Sequence, residues 1–247
     1  MKKIYLIIII LLIALGVYLN RSYAYIYNEI GSADLRSPDS QRTYMITNTN
    51  KNQAEPIVYA ALGDSLTAGV GTDNYQQAYP YLVATKLAER GPAVTLKDLA
   101  VSGANTSDVI KGQLAEAIAS KPNIITLLIG VNDIHNNVGK ATFQKNYEEI
   151  LTQLAKNTSA KIYAISIPYI GTHKLFLSPY QLYFNFKTKK FNGVIKEVAA
   201  AYKVQYIDIY TPTVNIFKKS GPHYSADLFH PSAAGYKLWA DIISKSL

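Results

Sequence analysis

From Pro56 to the end, short apolar runs alternate with longer segments of helical periodicity, and this alternation constrains the fold more than any other feature. Runs at 57–62, 94–101, 123–130, 161–168 and 204–210 read as strands. The strand at 161–168 is closed by a proline. Segments 78–90, 107–119, 141–156, 186–202 and 232–245 carry helical spacing, and the first stops at Gly91-Pro92. Five strands, each followed by a helix, predict a parallel sheet covered on both faces, because each crossover must carry the chain back over the sheet. In such a sheet, ligands bind beyond the carboxyl ends of the strands.

Polar clusters fall at that edge. The first strand runs into "GDSLTAG", residues 63–69, and the second into "SGANTSD", with Gly103 and Asn105. The third runs into "GVNDIHN", with Gly130, Asn132 and Asp133. The fifth leads through a loop to "SADLFHPSAAG", with Asp227 and His230. Each cluster has a structural alternative. Ser65 and Thr67 suit helix caps, Asn132-Asp133 suits a turn or N-cap, and Asp227 suits a cap for the turn before His230. Four such clusters at one end of one sheet are hard to account for by capping alone.

Together they supply the groups of an acyl-transfer site. A serine hydroxyl is a weak nucleophile and needs a base within hydrogen-bond reach. That base needs a carboxylate to hold its tautomer. Asp227 precedes His230 by three residues, close enough for the carboxylate to fold back on the imidazole. The developing oxyanion needs backbone N–H groups at glycine-rich turns and a side-chain amide such as that of Asn132.

The four blocks, in this order over residues 56–247, resemble those of the SGNH/GDSL hydrolases. The resemblance implies a flavodoxin-like three-layer α/β/α fold, a five-stranded parallel sheet and ester hydrolysis without metal or other cofactor. It implies Ser65 as nucleophile, His230 as base and Asp227 as its orienting acid. The oxyanion hole it implies is the Ser65 N–H, the Gly103 N–H and the Asn132 side chain. Asp64 reads as structural, holding the turn, and Asp133 is not assigned to catalysis. The α/β-hydrolase elbow G-x-S-x-G is not met, since Thr67 stands where its second glycine belongs.

The remaining histidines carry less. His135 suits either a pocket wall or a partly exposed loop, His223 a loop or a substrate contact, and His173 has no motif. No histidine pair has metal-ligand spacing with a nearby carboxylate, so no metal is expected. The absence of cysteine excludes disulfides, thiolate sites and cysteine nucleophiles. The net charge of +8 comes without a basic helix interleaved with aromatics. A solvated lysine-rich surface or an affinity for anionic membranes accounts for it, and nucleic acid is not expected as a partner.

Residues 1–24 form an export address: Lys2 and Lys3, then an apolar run from Ile4 to Leu19, then Asn20 and Arg21. An uncleaved anchor and a signal cut after "SYA" both fit, and either places the rest of the chain outside the cytoplasm. Residues 25–55 are polar without a sustained period and are expected to be a linker or stalk, ahead of a hydrolase domain at 56–247. Residues 169–186, rich in Tyr, Phe and Leu, interrupt the alternation. They suit either core packing or a lid and acyl-binding wall at the membrane surface, and Lys187, Lys189 and Lys190 follow them. The expectation is a monomeric extracytoplasmic serine esterase acting on lipid or short acyl esters. The alternatives are an O-acetylesterase acting on a surface glycan and a catalytically silent binding module.

Overall fold

In the computed structural model, which describes residues 2–32, 34, 36–39, 41–47, 54–219 and 221–247, the apolar runs become strands of one sheet. The elements are α1 (Lys2–Ser32), β1 (Thr43–Ile46), β2 (Ala54–Gly63), α2 (Tyr79–Ala88) and β3 (Pro92–Asp98). A composite helix follows: α3 (Thr106–Asp108), a π-turn (Val109–Gln113) and α4 (Leu114–Ala119). Then come β4 (Ile124–Leu128), α5 (Val131–His135), α6 (Lys140–Asn157), β5 (Lys161–Ile165) and α7 (Tyr180–Ala201). The chain ends with β6 (Gln205–Ile207), α8 (Tyr210–Phe217) and α9 (Ala233–Ile243).

The sheet order is β1-β3-β2-β4-β5-β6, with helices on both sides. The five strands from β2 to β6 pair in parallel in the flavodoxin order. β4 shows why their sequences read as unbroken apolar runs: Ile125, Leu127 and Leu128 are buried because both faces are covered. Helix α6 buries Phe143, Tyr147, Ile150, Leu151 and Leu154, one stripe at helical spacing.

The structure departs from the sequence reading in three places. The segment expected as a linker holds a sixth strand, β1, which pairs antiparallel with β3 at the edge, Tyr44 and Ile46 facing inward. Four residues are too short for a period to be visible. Helix α1 does not stop at residue 24 but runs to Ser32, with Ile26 buried against the domain. The 169–186 segment divides. Tyr169, Ile170, Leu175 and Phe176 pack into the core, while residues from Tyr180 onward form the start of α7, earlier than the periodicity indicates. Leu182 and Phe186 point outward there and blur the helical pattern.

At the carboxyl edge two side-chain amides complete the peptide hydrogen bonding where the strands end, one of them beside Val101 N–H, which also donates to Gly63 C=O (3.2 Å). Gln113, presented by the π-turn, accepts from Gly63 N–H (3.0 Å) and donates to Gly63 C=O (2.7 Å). Asn192 of α7 does the same for Ile167, at 2.8 Å in both directions. A buried N–H without an acceptor costs about 1–3 kcal/mol. Gln113→Leu keeps the volume and strands Gly63 N–H, so we expect a loss of about 1–3 kcal/mol in urea unfolding. An unchanged midpoint would show that Gly63 N–H finds another acceptor.

Candidate active site

Ser65 follows β2, the strand that lies between β3 and β4. Its turn is closed by Asp64 C=O, which accepts from Thr67 N–H (3.0 Å) and Ala68 N–H (2.9 Å). The Asp64 carboxylate accepts from Leu66 N–H (3.0 Å). No α-helix starts until Tyr79, so neither Ser65 nor Thr67 caps one. Thr67 is buried, with its hydroxyl against Tyr79 Oη (3.1 Å). Gly63 must be glycine, because a Cβ there would lie 2.4 Å from Leu128 C=O and 2.2 Å from Thr67 Oγ1.

Ser65 is 5% exposed, and its Oγ lies 2.9 Å from His230 Nε2. His230 Nδ1 lies 2.6 Å from Asp227 Oδ2. With Nδ1–H donated to the carboxylate, Nε2 is left to accept from the serine hydroxyl. The other Asp227 oxygen accepts from Ser225 Oγ (2.6 Å), Phe229 N–H (2.9 Å) and His230 N–H (2.9 Å). The capping role expected of Asp227 and its contact with the imidazole therefore coexist, one oxygen for each. Burial pulls this carboxyl up, but the bond and charge of His230 together with the Ser225 and Phe229 donors hold it down at about 2.

The serine loop and the histidine loop come from opposite ends of the domain, and Gly71 lets them meet. Its φ is +94°, and a Cβ would lie 2.6 Å from Pro231 C=O and 3.0 Å from His230 Cβ. Tyr236 of α9 adds a buried hydrogen bond from its hydroxyl to Val70 C=O (2.8 Å).

The other predicted residues stand on the flanking strands' loops. Gly103 follows β3, and Asn132 lies in the first turn of α5 after β4. Asn132 donates one amide hydrogen to Ala104 C=O (2.8 Å), which leaves its second hydrogen uncommitted. Among the described residues, the N–H groups of Ser65 and Gly103 have no backbone or side-chain acceptor. Asp133 does not cap α5; it is buried and accepts from Thr106 N–H (3.0 Å) and Thr106 Oγ1 (2.6 Å). It thereby locks the loop after β4 to the loop after β3. Asn105 caps the following helix in a reciprocal box with Asp108.

His135 closes the C-terminal turn of α5 among Phe184 (ring centroids 5.0 Å), Phe229 (5.3 Å) and Phe176 (6.0 Å). Its Nε2 is buried and has no hydrogen-bond partner among the described residues. Burial first, and then the charge of His230, push it down to about 4. Phe229 in turn packs edge-on against His230 (4.9 Å). His135 thus borders an apolar cavity of about 590 Å³ rather than lying in an exposed loop. His223 sits in the loop before Asp227, with its carbonyl accepting from Ser232 N–H (3.0 Å). His173 is exposed beside Gln181. Sequence reasoning missed Ser225, Thr106 and Phe229. Ser225, two residues before Asp227, carried a local signal; the other two bear on the site only through the fold.

The GDSL-like Lipase/Acylhydrolase family matches residues 61–238. The spore germination lipase LipC of Bacillus licheniformis is 26% identical over 205 residues, covering 75% of this chain and 93% of that protein. Lipase 1 of Streptomyces coelicolor is 39% identical over 85 residues, a match that spans 30% of each chain. The crystal structure of the lipase/acylhydrolase from Enterococcus faecalis superposes with a TM-score of 0.63 at 26% identity, over 77% of this chain and 94% of that one.

Two outcomes are expected. Gly71→Ala forces a Cβ against the histidine loop, and should lower both the melting temperature, by about 1–3 kcal/mol of stability, and ester turnover. Asp64 gives a pH signature. Burial first, with the Asp133 charge adding, raises its carboxyl to about 7, while an unfolded aspartate titrates near ~4. Between these values the folded chain binds the extra proton, so stability falls as pH rises from about 4 to about 7. Asp64→Asn keeps the acceptor for Leu66 and should reduce that slope in thermal melts; an unchanged slope would count against a protonated Asp64.

Proposed function

Because the chain belongs to the GDSL-like lipase/acylhydrolase family, and is thus a serine hydrolase of ester bonds, we propose that Ser65, His230 and Asp227 are its catalytic triad. The observation that carries this reading is the continuous hydrogen-bonded relay from Ser65 Oγ to His230 to Asp227, at 2.9 and 2.6 Å.

Ser65 Oγ attacks the ester carbonyl carbon while its proton passes to His230 Nε2. Asp227, held ionised, stabilises the imidazolium and keeps Nδ1–H in place. The carbonyl oxygen becomes an oxyanion that accepts from Ser65 N–H, Gly103 N–H and the free hydrogen of Asn132. A donor of this kind is commonly worth about 3 kcal/mol in the transition state. The C–O bond to the alcohol then breaks, and the alcohol leaves with the proton from His230. Water attacks the acyl-enzyme, giving its proton to His230, and release of the acid restores the serine. Two features support the assignment of donors: the two N–H groups lack protein acceptors among the described residues, and the Gly103 and Asn132 loops follow β3 and β4, the strands on either side of the β2 that carries Ser65.

The substrate we infer is a lipid or medium-chain acyl ester rather than a glycan acetate, since a cavity lined mostly by aromatic and aliphatic side chains reaches His135, one ring (Phe229) from His230. The location we infer is outside the cytoplasm, with α1 as anchor or signal. Its 2–31 segment is long and apolar enough to cross a membrane, and two lysines precede the apolar run.

Hydrolysis of p-nitrophenyl acetate and p-nitrophenyl octanoate by the full chain tests the reading. Ser65→Ala should abolish turnover and fluorophosphonate labelling, and Asp227→Asn should lower kcat by about 10³–10⁴-fold. Turnover that survives Ser65→Ala would overturn the triad, and a preference for acetate would favour the glycan O-acetylesterase.

A further inference from the structure

Helix α1 runs without a break from Lys2 to Ser32, but its two halves face different surroundings. Side chains from Ile4 to Val17 lie open on all sides. Beyond them, Leu19, Ser22, Ile26 and Ile30 recur at helical spacing and form the stripe that meets the domain. Ser22 is 3% and Ile26 1% exposed, and Ile30 packs against the core. Two hydrogen bonds fix the height of the junction: Tyr18 Oη donates to Ser178 C=O (2.8 Å) and Tyr180 Oη to Leu19 C=O (3.2 Å). The start of α7 is therefore level with the end of the apolar run, and no stalk separates them.

That height matters because the run is short. Sixteen residues of helix from Ile4 to Leu19 span about 24 Å, against about 30 Å of bilayer hydrocarbon. Keeping the run in lipid draws the next turns into the interface. Those turns carry Tyr23, Tyr25 and Tyr27, all exposed, and such amphipathic rings favour the headgroup level. In its first two turns, next to that junction, α7 exposes Leu182 (65%) and Phe186 (64%), with Lys187, Lys189 and Lys190 beyond them.

The apolar cavity opens between these two helices. Leu19, Tyr23 and Ile26 of α1 form one wall; Ile134, His135 and Phe184 form the inner one. The apolar side chains of these walls favour contact with hydrocarbon over water. Its inner end at His135 is one ring, Phe229, away from His230.

We propose that this cavity is the acyl site for single-chain lipid esters entering from the bilayer that holds α1, so that the membrane anchor is itself a wall of the substrate site. The proposal rests on the esterase reading above and extends it. The anchor then governs chain-length preference as well as address.

The test uses the full chain in phosphatidylcholine vesicles and a lysophosphatidylcholine with a diazirine at the end of its acyl chain. In a Ser65→Ala background, light should place label on Ile134, His135 or Phe184, and Leu19→Trp, which fills the wall, should reduce it several-fold. With Ser65 intact, Leu19→Trp should lower the octanoate-to-acetate ratio of kcat/KM about tenfold, and Tyr23→Ala, which widens the wall, should move the ratio the other way. Label confined to residues 4–18, or a ratio indifferent to both substitutions, would overturn the proposal. Inner-wall label without fluorophosphonate reaction at Ser65 would support the acyl site and overturn the Ser65 triad; the reverse pattern would overturn the acyl site alone.

Discussion

The parallel pairing of β2 between β3 and β4 is the constraint from which the rest of the site follows. A parallel ladder sends every connection the same way, so the loops after β2, β3 and β4 emerge side by side at one edge. Ser65, Gly103 and Asn132 become neighbours because their strands are neighbours, although the sequence separates them by dozens of residues. The edge itself is costly to build, since buried peptide N–H groups such as that of Gly63 need an acceptor where the strands end. Gln113 and Asn192 satisfy those groups from helices on the faces, and Asp133 bolts two of the loops together through Thr106. The loops of the candidate site are thus tied to the sheet and to each other by buried hydrogen bonds.

Electrostatics sorts the carboxylates at this edge by environment. Asp64 and Asp133 lie beneath the loops, and burial raises both. Asp227 is also largely covered, yet four donors on its two oxygens hold it well below the ordinary range. The same side chain is therefore raised in two places and lowered in a third by what surrounds it, and the lowered one is the carboxylate that faces His230.

The N-terminal helix links the chemistry to its surroundings. A flexible stalk would let the domain sample any position relative to the apolar run of α1. A continuous helix with one buried stripe fixes both height and rotation, through contacts that involve Tyr18, Leu19, Ile26 and Tyr180. The same contacts enclose the apolar cavity next to His135.

The sequence by itself determined the strand–helix alternation, the family and the short list of candidate residues, because each is a local pattern. Period distinguishes buried strand from amphipathic helix, and the four blocks are contiguous strings. Asp227 and His230 were legible as a pair for the same reason, being three residues apart on one loop. The antiparallel β1 strand, the early start of α7 and the extension of α1 to Ser32 were not legible. Their stability comes from partners distant in the chain: β3 for β1, the core beneath Phe184 for α7, the domain surface for Ile26. Only the tertiary structure decided that Gly71 brings His230 to within a hydrogen bond of Ser65, and that His135 borders a cavity instead of solvent. Both outcomes depend on which surfaces touch after the sheet has closed, and no local pattern encodes that.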